Sequence, residues 1–318
     1  MKSLLKLVIF GDPKKGPVAE AIEEFAGFVK GKAEIAASYR INDLGGGGDY
    51  WSVPPSAQDR GTQPSARAAD KARILKECDF AIVFGGDGSI IATARNLCEA
   101  DLPVIGVNLG KLGFLAEFSV AELEQHFDDI ISGRAPVEKR MMLGCKVLAG
   151  GREKFNSAAI NDVYITAGPP FRMIELKISV DGQLLAGCVS DGLIIATPTG
   201  STAYNLSAGG PIVSPKMEAI VITPICPHSL SFRPIVINAN STVEVFAVQV
   251  NRGTAVSIDG QVSSGLSDGE VVRVARKPGD FLIVNNPVRS RWDTLATKLG
   301  WAEKPKYNRD SVLSDPQA

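Results

Sequence analysis

The sequence predicts an α/β protein with a second, β-rich part. Up to about residue 138, apolar strand patterns alternate with helical periodicity, which is typical of a parallel sheet covered by helices. Beyond about residue 141, strand-like runs follow one another with turns and little helical periodicity, which is typical of antiparallel sheets packed as a sandwich. A helical pattern returns near residue 292, so the last helix is expected to pack back on the first domain.

Strands and helices alternate through the first part of the chain. Its predicted strands are Leu4–Phe10, Glu34–Ile41, Phe80–Phe84 and Pro103–Val107. Its predicted helices cover Val18–Val29 and Arg67–Glu77, begin at Ser89, and run from Ser119 to about Ser132. Ser119 and Glu122 have the spacing of a capping box, which predicts the start of the last of these helices.

The β-rich part is predicted from short apolar runs separated by turn residues. Its strands are expected at Met141–Ala149, Ala158–Thr166, Met173–Val180, Gln183–Val189, Leu193–Ala196, Ala219–Ile225, Ser241–Val250, Val271–Ala275 and Phe281–Val284. Asp181 and Gly182 lie between two of these runs and predict a tight hairpin turn. The C-terminal helix is predicted over Trp292–Trp301.

These patterns divide the chain into three units. Residues 1–138 form the Rossmann-like α/β domain, 139–284 the β-rich domain, and 285–318 the returning helix and a polar tail. Residues 43–69 are rich in Gly, Pro and Ser and interrupt the first domain as a flexible insertion. The alternative for this insertion is a lid that orders when substrate binds.

Charge and composition exclude several classes of protein. Lys and Arg number 34 against 35 Asp and Glu, and this balance disfavours nucleic acid as the main partner. Five widely spaced cysteines without a CxxC, together with two histidines, disfavour a zinc or iron–sulfur site and favour free thiols in a reducing cytosol. Since no run of about 20 apolar residues occurs, we expect a cytoplasmic protein without a membrane partner.

The sharpest local signal is the glycine-rich segment Gly85-Gly86-Asp87-Gly88-Ser89, between a predicted strand and a predicted helix. Its glycines would let backbone N–H groups approach a phosphate, and a helix N-terminus favours anions. Asp87 would either accept a proton from an attacking hydroxyl or help to hold Mg²⁺. The alternative is a simple turn that joins strand to helix.

Two further segments carry polar residues where strands would otherwise be apolar. Asn161-Asp162 interrupts a strand run, and its amide and carboxylate suit ribose hydroxyls unless the pair only forms a β-bulge or turn. Asp191 precedes another strand, which ends in the small and hydroxylated run from Thr197 to Gly210. That run predicts a ligand cleft with one aromatic wall, Tyr204, or alternatively a surface loop.

Together these motifs resemble one enzyme family. They are GGDGS, NLGKLGFLAE (108–117), Asn161-Asp162, DGLIIATPTGSTAYNLSAGGPIV (191–213), PICPHSLSFRPIVI (224–237) and Asp259-Gly260-Gln261. In this order, over residues 80–301, they are similar to the ATP-dependent NAD kinases. GGDG also occurs in lipid and sugar kinases, whereas TPTGSTAY and PHSLSFRP are much more specific.

The resemblance implies transfer of the γ-phosphate of ATP to the 2′-hydroxyl of the adenosine ribose of NAD, which yields NADP. ATP and NAD are then substrates, Mg²⁺ or another divalent cation assists, and Asp87 resembles the general base. No metal site made by the protein alone is expected, because Mg²⁺ would arrive with the nucleotide. Asp87 is the one side chain expected to add a protein ligand to that ion. The implied assembly is a homodimer or homotetramer.

The resemblance also implies contacts for each substrate. The ATP phosphates would lie against Gly85, Gly86, Gly88 and Ser89. The NAD contacts would be Asp87, Gly88, Phe114, Asn161, Asp162, Arg172, Asp191, Thr202, Ala203, Tyr204, Asn205, Leu206, Ser207 and Gln261. Two other functions stay open on the residues alone: a non-catalytic sensor of NAD or NADP, and a lipid or sugar kinase with the same glycine-rich turn.

Overall fold

The computed structural model describes residues 4–41, 72–97, 99–110 and 113–300. The predicted insertion at 43–69, the first residues of the helix Arg67–Glu77, and the polar tail with Trp301 lie outside these residues. Eighteen strands in the described part form three six-stranded sheets. None of its helices is both long enough and apolar enough to span a membrane.

The elements follow one another in this order. The helices are α1 (Gly16–Phe28), α2 (72–77), α3 (Asp87–Leu97), α4 (Val120–Ile131), α5 (Tyr204–Ser207) and α6 (Arg291–Leu299). The strands are β1 (Leu5–Gly11), β2 (Ala33–Arg40), β3 (Phe80–Phe84), β4 (Val104–Val107), β5 (Val137–Arg140), β6 (Leu143–Ala149), β7 (Arg152–Ala159), β8 (Asp162–Thr166), β9 (Ile174–Val180), β10 (Gln183–Ser190), β11 (Gly192–Ala196), β12 (Ala219–Ile225), β13 (Ile235–Asn238), β14 (Val243–Gln249), β15 (Ala255–Ile258), β16 (Val262–Gly265), β17 (Val271–Arg276) and β18 (Phe281–Val284).

The first sheet has the strand order β2-β1-β3-β4-β18-β5, and its first five strands are parallel. Each face is covered by helices. On one face α1 and α4 pack together, with the rings of Phe25 and Phe127 5.7 Å apart. On the other face α3 buries Ile90, Ala94 and Leu97. The predicted parallel, helix-covered sheet is confirmed for β1 to β4.

One strand lies in a different sheet from the one that the sequence suggested. Phe281–Val284 was assigned to the β-rich part, but β18 pairs parallel with β4 and antiparallel with β5 in the first sheet. Phe281, Ile283 and Val284 are each 1% exposed. A strand of continuous apolar residues suits the interior of a sheet that is covered on both faces, which is the physical reason for this placement.

The other two sheets are antiparallel and pack face to face. Their orders are β10-β9-β14-β17-β6-β7 and β13-β12-β11-β8-β15-β16. One apolar core contains side chains from both sheets, including Val245 and Val272 from one and Ile165 and Ile195 from the other. The predicted antiparallel β-rich part is therefore confirmed, and the hairpin at Asp181-Gly182 is confirmed with φ values of 51° and 77°.

The chain passes from one antiparallel sheet to the other between β7 and β8. The sequence predicted a single strand over Ala158–Thr166, but residues 160–161 form a bend instead. β7 belongs to the second sheet and β8 belongs to the third. Asn161 and Asp162 therefore lie where the chain changes sheets, and we call residues 160–162 the crossing segment.

The glycine-rich turn connects β3 to α3, which begins at Asp87 rather than at the predicted Ser89. Because α3 follows β3 through this turn, the first turn of α3 lies at the carboxyl end of a parallel strand, the usual ligand-binding edge of such a sheet.

The capping box that opens α4 is confirmed, because the Ser119 hydroxyl accepts the Glu122 N–H and the Glu122 carboxylate accepts the Ser119 N–H.

Candidate active site

The carboxylate of Asp87 is held by three backbone N–H groups of a neighbouring loop. Oδ2 accepts from Phe114 N at 2.8 Å, and Oδ1 accepts from Leu115 N and Ala116 N at 3.0 Å each. An ionised carboxylate offers about four acceptor positions. The described residues therefore fix its orientation and leave one position, on Oδ2, for another donor.

Two glycines make this arrangement sterically possible. Gly85 has φ 154°, and a Cβ there would lie 2.4 Å from the Ser89 hydroxyl. At Gly113 a Cβ would lie 1.8 Å from Asp87 Oδ1. The backbone can therefore approach both the start of α3 and the Asp87 carboxylate only where no side chain intervenes.

A large cleft of about 1250 Å³ opens beside the glycine-rich turn. Gly86, Gly88 and Ser89 line it on one side, and strands of the second sheet line it on the other. The described lining holds one acid, Glu99, and six basic side chains: Lys15, Arg95, Lys146, Arg273, Arg276 and Lys277. Because the N–H groups of a first helical turn lack intrahelical acceptors, the start of α3 adds further donors for an anion.

The crossing segment is bound by a second buried carboxylate, that of Asp259. Oδ1 accepts from Asn161 N at 2.8 Å and from Asp162 N at 3.1 Å, and Oδ2 accepts from Ile160 N at 3.2 Å. In return, Asp259 N donates to Asp162 O at 2.9 Å. The position of both predicted ribose-binding residues is thus set by the turn between β15 and β16.

The carboxyl groups of Asp162 and Asp259 are both almost completely buried, at 3% and 0% exposure. Burial, with the nearby charge of Asp259, raises the pKa of Asp162 from 3.8 to about 7, against an opposing hydrogen bond from Tyr204 N. Burial also raises the pKa of Asp259, although three backbone N–H groups and Arg95 oppose this. The site therefore holds a carboxyl group that titrates near neutral pH.

The loop after β11 lies across the crossing segment. Thr197 N donates to Asn161 O at 2.8 Å, and a Cβ at Gly200 would lie 2.0 Å from that same oxygen. Thr202, Ala203 and Leu206 are half-buried, and Ser207 is exposed. The rings of Tyr204 and Tyr164 meet edge to face at 5.0 Å, and this contact orients the aromatic side chain of the loop.

Asn205 differs from its neighbours in this loop. It was expected to contact a ligand, but its side chain is completely buried. Its Nδ2 donates to Ser201 O and Pro211 O at 3.1 and 3.2 Å, and its Oδ1 accepts from the Thr223 hydroxyl at 2.7 Å. Because the amide is satisfied internally, the Asn205 side chain fixes the loop from beneath.

Phe114 lies where the Asp87 loop meets the C-terminal helix. Its ring is half-buried, with Lys298 Nζ 4.9 Å from the ring centre. It lines a smaller cavity of about 140 Å³ together with Thr199, Thr202 and Trp292. The Thr199 hydroxyl is buried there without a hydrogen-bond partner in the described residues, which is the kind of group that a ligand satisfies.

Three predicted residues take different positions. Asp191 directly precedes β11, at the end of the β8–β11 ladder that is opposite to Asp162, about 13 Å along five pairs. Burial is the main cause of the raised pKa of the Tyr204 hydroxyl, and the charge of Asp191 contributes to it. Arg172 is exposed, and its carbonyl accepts from the Asn251 amide. Gln261 lies at the first turn of α3, where its Nε2 donates to Gly88 O at 2.8 Å.

Sequence reasoning gave no role to Arg95 or Asp259. Asp259 belongs to the Asp-Gly-Gln motif, and the pair Asp259-Gly260 is a turn signal that can be read from the sequence. The structure has a turn there, with φ 51° at Asp259. Arg95 lies on α3 with no local feature that marks it. Its contact with Asp259 joins positions 164 residues apart, so only the fold shows it.

We expect substitution of Asp162 by Asn to make the free energy of unfolding less dependent on pH. The native group binds a proton up to about pH 7, whereas in the unfolded chain it has the ordinary pKa of 3.8. The stability that this group supplies is therefore complete below about pH 4 and is lost as the pH rises through 7. Unfolding by urea at pH 5 and pH 8 should show the variant gaining stability relative to the wild type at the higher pH.

Glu23→Gln, which changes an exposed acid on α1, is the matched control and should shift stability equally at both pH values. A difference between Asp162→Asn and the wild type that stays constant from pH 5 to pH 8 would contradict this assignment.

Comparisons with known proteins identify the family. Residues 53–135 match the ATP-NAD kinase N-terminal domain, and residues 160–286 match the ATP-NAD kinase C-terminal domain. An NAD kinase from Syntrophotalea carbinolica is 41% identical over 78% of this chain and 86% of its own length. One from Desulforamulus reducens is 44% identical over 70% and 77%.

A solved structure leads to the same family. A yeast NADH kinase, crystallised with NADH, superimposes with a TM-score of 0.78 at 28% identity, over 97% of this chain and 91% of the yeast chain. Two of the motifs that carry the sequence resemblance meet at the first turn of α3, where the backbone of residues 114–116 donates to Asp87 and Gln261 donates to Gly88. The chain belongs to the ATP-NAD kinase family.

Proposed function

We propose that this chain is an NAD kinase that transfers the γ-phosphate of ATP to the 2′-hydroxyl of the adenosine ribose of NAD. The observation that carries the proposal is the Asp87 carboxylate. It is fixed by three N–H groups, keeps one open acceptor position, and lies between Gly86 and Gly88, which line a cleft with a basic wall. A hydroxyl acceptor needs a fixed base, and a triphosphate donor needs positive charge.

ATP is placed in the large cleft. Its phosphates would lie against Gly85, Gly86, Gly88 and Ser89, where backbone N–H groups at the start of α3 can donate to them. The basic residues on the opposite wall would compensate the charge of the triphosphate. This arrangement supplies positioning and electrostatic stabilisation, which are the main requirements of phosphoryl transfer.

NAD is placed on the other side of Asp87. Its adenosine ribose would lie between Asp87 and the crossing segment, where Asn161 and Asp162 offer an amide and a carboxyl group. The loop Thr202–Ser207 would contact the adenine, with Tyr204 as its aromatic wall. The cavity beside Phe114 and the unsatisfied Thr199 hydroxyl suit the remaining portion of the dinucleotide.

The reaction then needs one proton transfer and one displacement. The 2′-hydroxyl donates its proton to Asp87 at the open position on Oδ2. The oxygen of the 2′-hydroxyl forms a bond to the γ-phosphorus. At the same time, the bond from that phosphorus to the oxygen that bridges to the β-phosphate breaks. NADP and ADP are the products. Holding the two substrates in line removes most of the entropic cost of bringing them together.

The described residues fit a divalent cation that arrives with the nucleotide. No cluster of three acidic, histidine or cysteine side chains occurs among them, and Asp87 supplies the carboxylate oxygens at the turn. Mg²⁺ would therefore be held mainly by phosphate oxygens, with Asp87 nearby. When bound, it would neutralise charge on the transferred phosphoryl group.

We expect Asp87→Asn to lower turnover by about 10²–10⁴-fold, because the amide cannot accept the proton. NAD binding by calorimetry should be largely retained. Asp128→Asn, an exposed acid on α4, is the control and should keep wild-type turnover. NADP formed by the Asp87 variant at the wild-type rate would refute the role of the base, and a folded wild type that makes no NADP would refute the function.

Gly113→Ala is expected to reduce kcat while leaving the fold intact. The added methyl group would overlap Asp87 Oδ1, so the carboxylate must turn away from its three N–H donors. Since a misplacement of about 1 Å can cost on the order of 100-fold in rate, kcat should fall by one to two orders of magnitude. Gly27→Ala, at a helical glycine with open space around it, should leave kcat unchanged. Equal kcat in both variants would exclude this steric role.

We propose that the active form is a homodimer or homotetramer. Leu184, Leu185 and Val189 are 60%, 47% and 42% exposed on β10, an edge strand of the second sheet. An apolar edge strand is a surface that proteins normally cover, and a second subunit would cover it.

We expect light scattering to give the mass of a dimer or tetramer for the wild type, and Leu184→Glu to shift the population toward the monomer. Val137→Glu is the control for the added charge, because Val137 is also an exposed apolar residue (46%) on an edge strand, β5 of the first sheet. A monomeric wild type would exclude the assembly, and an unchanged mass for Leu184→Glu would exclude β10 from the interface.

We further propose the domain division 1–138, 139–284 and 285–318, amended by the placement of β18 in the first sheet. The contacts of Arg289 with Glu122 at 2.6 Å and of Lys298 with the Phe114 ring support a last unit that packs on the first domain.

A cytoplasmic location is supported by the unpaired thiols of Cys78, Cys145, Cys188 and Cys226.

A further inference from the structure

Arg95, Asp259 and Gln261 form a cluster that joins the two halves of the site, and we call it the Arg95 cluster. Arg95 Nη1 donates to Asp259 Oδ2 at 3.1 Å, and Arg95 Nη2 donates to Gln261 Oε1. Gln261 Nε2 donates to Gly88 O at 2.8 Å. The cluster therefore binds helix α3 at two points, one near its end and one in its first turn.

The same Asp259 carboxylate binds the crossing segment through the N–H groups of residues 160–162. One buried group thus contacts both the helix that begins with Asp87 and the segment that carries Asn161 and Asp162. The distance between α3 and the crossing segment is therefore set here by the side chains of Arg95 and Asp259.

Burial makes this contact stiff. The Asp259 side chain is 0% exposed and the Arg95 side chain 12%. A charge-assisted hydrogen bond in such surroundings is little screened by solvent, and loss of one partner leaves the other charge buried. The planar guanidinium orients two acceptors at once, which an ammonium group cannot do.

We propose that Arg95 and Asp259 are positioning residues for phosphoryl transfer: they fix Asp87 relative to Asn161 and Asp162, and so align the base with the ribose hydroxyl. This rests on the proposed function and adds residues that touch neither substrate in that scheme. In the cluster, Arg95 directs both Nη atoms to protein acceptors although it lines the cleft. Its effect should therefore appear in kcat, which depends on alignment, more than in KM for ATP.

The test compares Arg95→Met, Arg95→Lys, Asp259→Asn and the double variant Arg95→Met/Asp259→Asn. Steady-state kinetics with ATP, NAD and Mg²⁺ gives kcat and both KM values. For Arg95→Met we expect kcat to fall about 10- to 100-fold, with KM for ATP changed by less than about threefold. Arg95→Lys should recover part of kcat, since it keeps the charge but loses one of the two contacts.

The loss of kcat in the double variant should be smaller than the product of the two single losses, because both single changes remove the same contact between Arg95 and Asp259. A loss equal to that product would show that the two residues act independently. Arg134→Met is the control: Arg134 pairs with Asp129 on an exposed surface, and its loss should not alter kcat. If Asp259→Asn does not fold, the comparison of Arg95→Met with Arg95→Lys decides alone.

A second readout does not depend on activity. Hydrogen exchange of the amides of Ile160, Asn161 and Asp162 reports whether Asp259 still binds the crossing segment. The Ile160 amide, which donates to Oδ2, should be protected in the wild type and exchange at least tenfold faster in Asp259→Asn, because the Asn side chain keeps only one acceptor oxygen. If the wild type makes no NADP while exchange behaves as expected, the proposed function fails and the structural role of the cluster stands.

Three results would overturn the positioning role. One is wild-type kcat in Arg95→Met with only a lower Tm, which would make the contact merely structural. Another is a KM for ATP that rises more than tenfold at constant kcat, which would make Arg95 a direct ATP contact. The third is unchanged amide exchange in Asp259→Asn.

Discussion

A buried carboxylate that gathers backbone N–H groups from a distant segment is the interaction on which the candidate site depends. Asp259 holds residues 160–162 in this way, and Asp87 holds Phe114, Leu115 and Ala116. In both cases an irregular piece of backbone receives acceptors that no strand or helix supplies. The site is thus assembled from bends and loops, yet each bend is fixed by charge-assisted hydrogen bonds to a regular element or a tight turn.

The two anchors leave their carboxylates in different states. Asp259 is fully buried and saturated by donors, so it can only hold its neighbours in place. Asp87 is half-buried and keeps one acceptor position on Oδ2 open. The same chemical group is therefore a structural tie at Asp259 and is free to act as the proposed base at Asp87, and the number of donors around it makes the difference.

Much of this could be predicted from the sequence, because it depends on local patterns. Apolar runs located β1, β3 and β12, and the glycines around Asp87 located the turn between β3 and α3. What could not be predicted depends on contacts between distant positions. Arg95 finds Asp259 only when α3 and the β15–β16 turn come together, and Asn205 resembles its exposed neighbours until the fold buries it. Strand β18 was misplaced for the same reason, since its four apolar residues suit any buried sheet.

The return of β18 to the first sheet has a consequence for biosynthesis. Strand β4 is complete at residue 107, but one of its neighbours is made of residues 281–284. While the intervening β-rich segment emerges from the ribosome, the edge of β4 stays without its partner, and unpaired edges are where nascent chains associate wrongly. The N-terminal half of this enzyme therefore cannot finish folding before nearly the whole chain is made, and a simple split into two fragments would separate a strand from its own sheet.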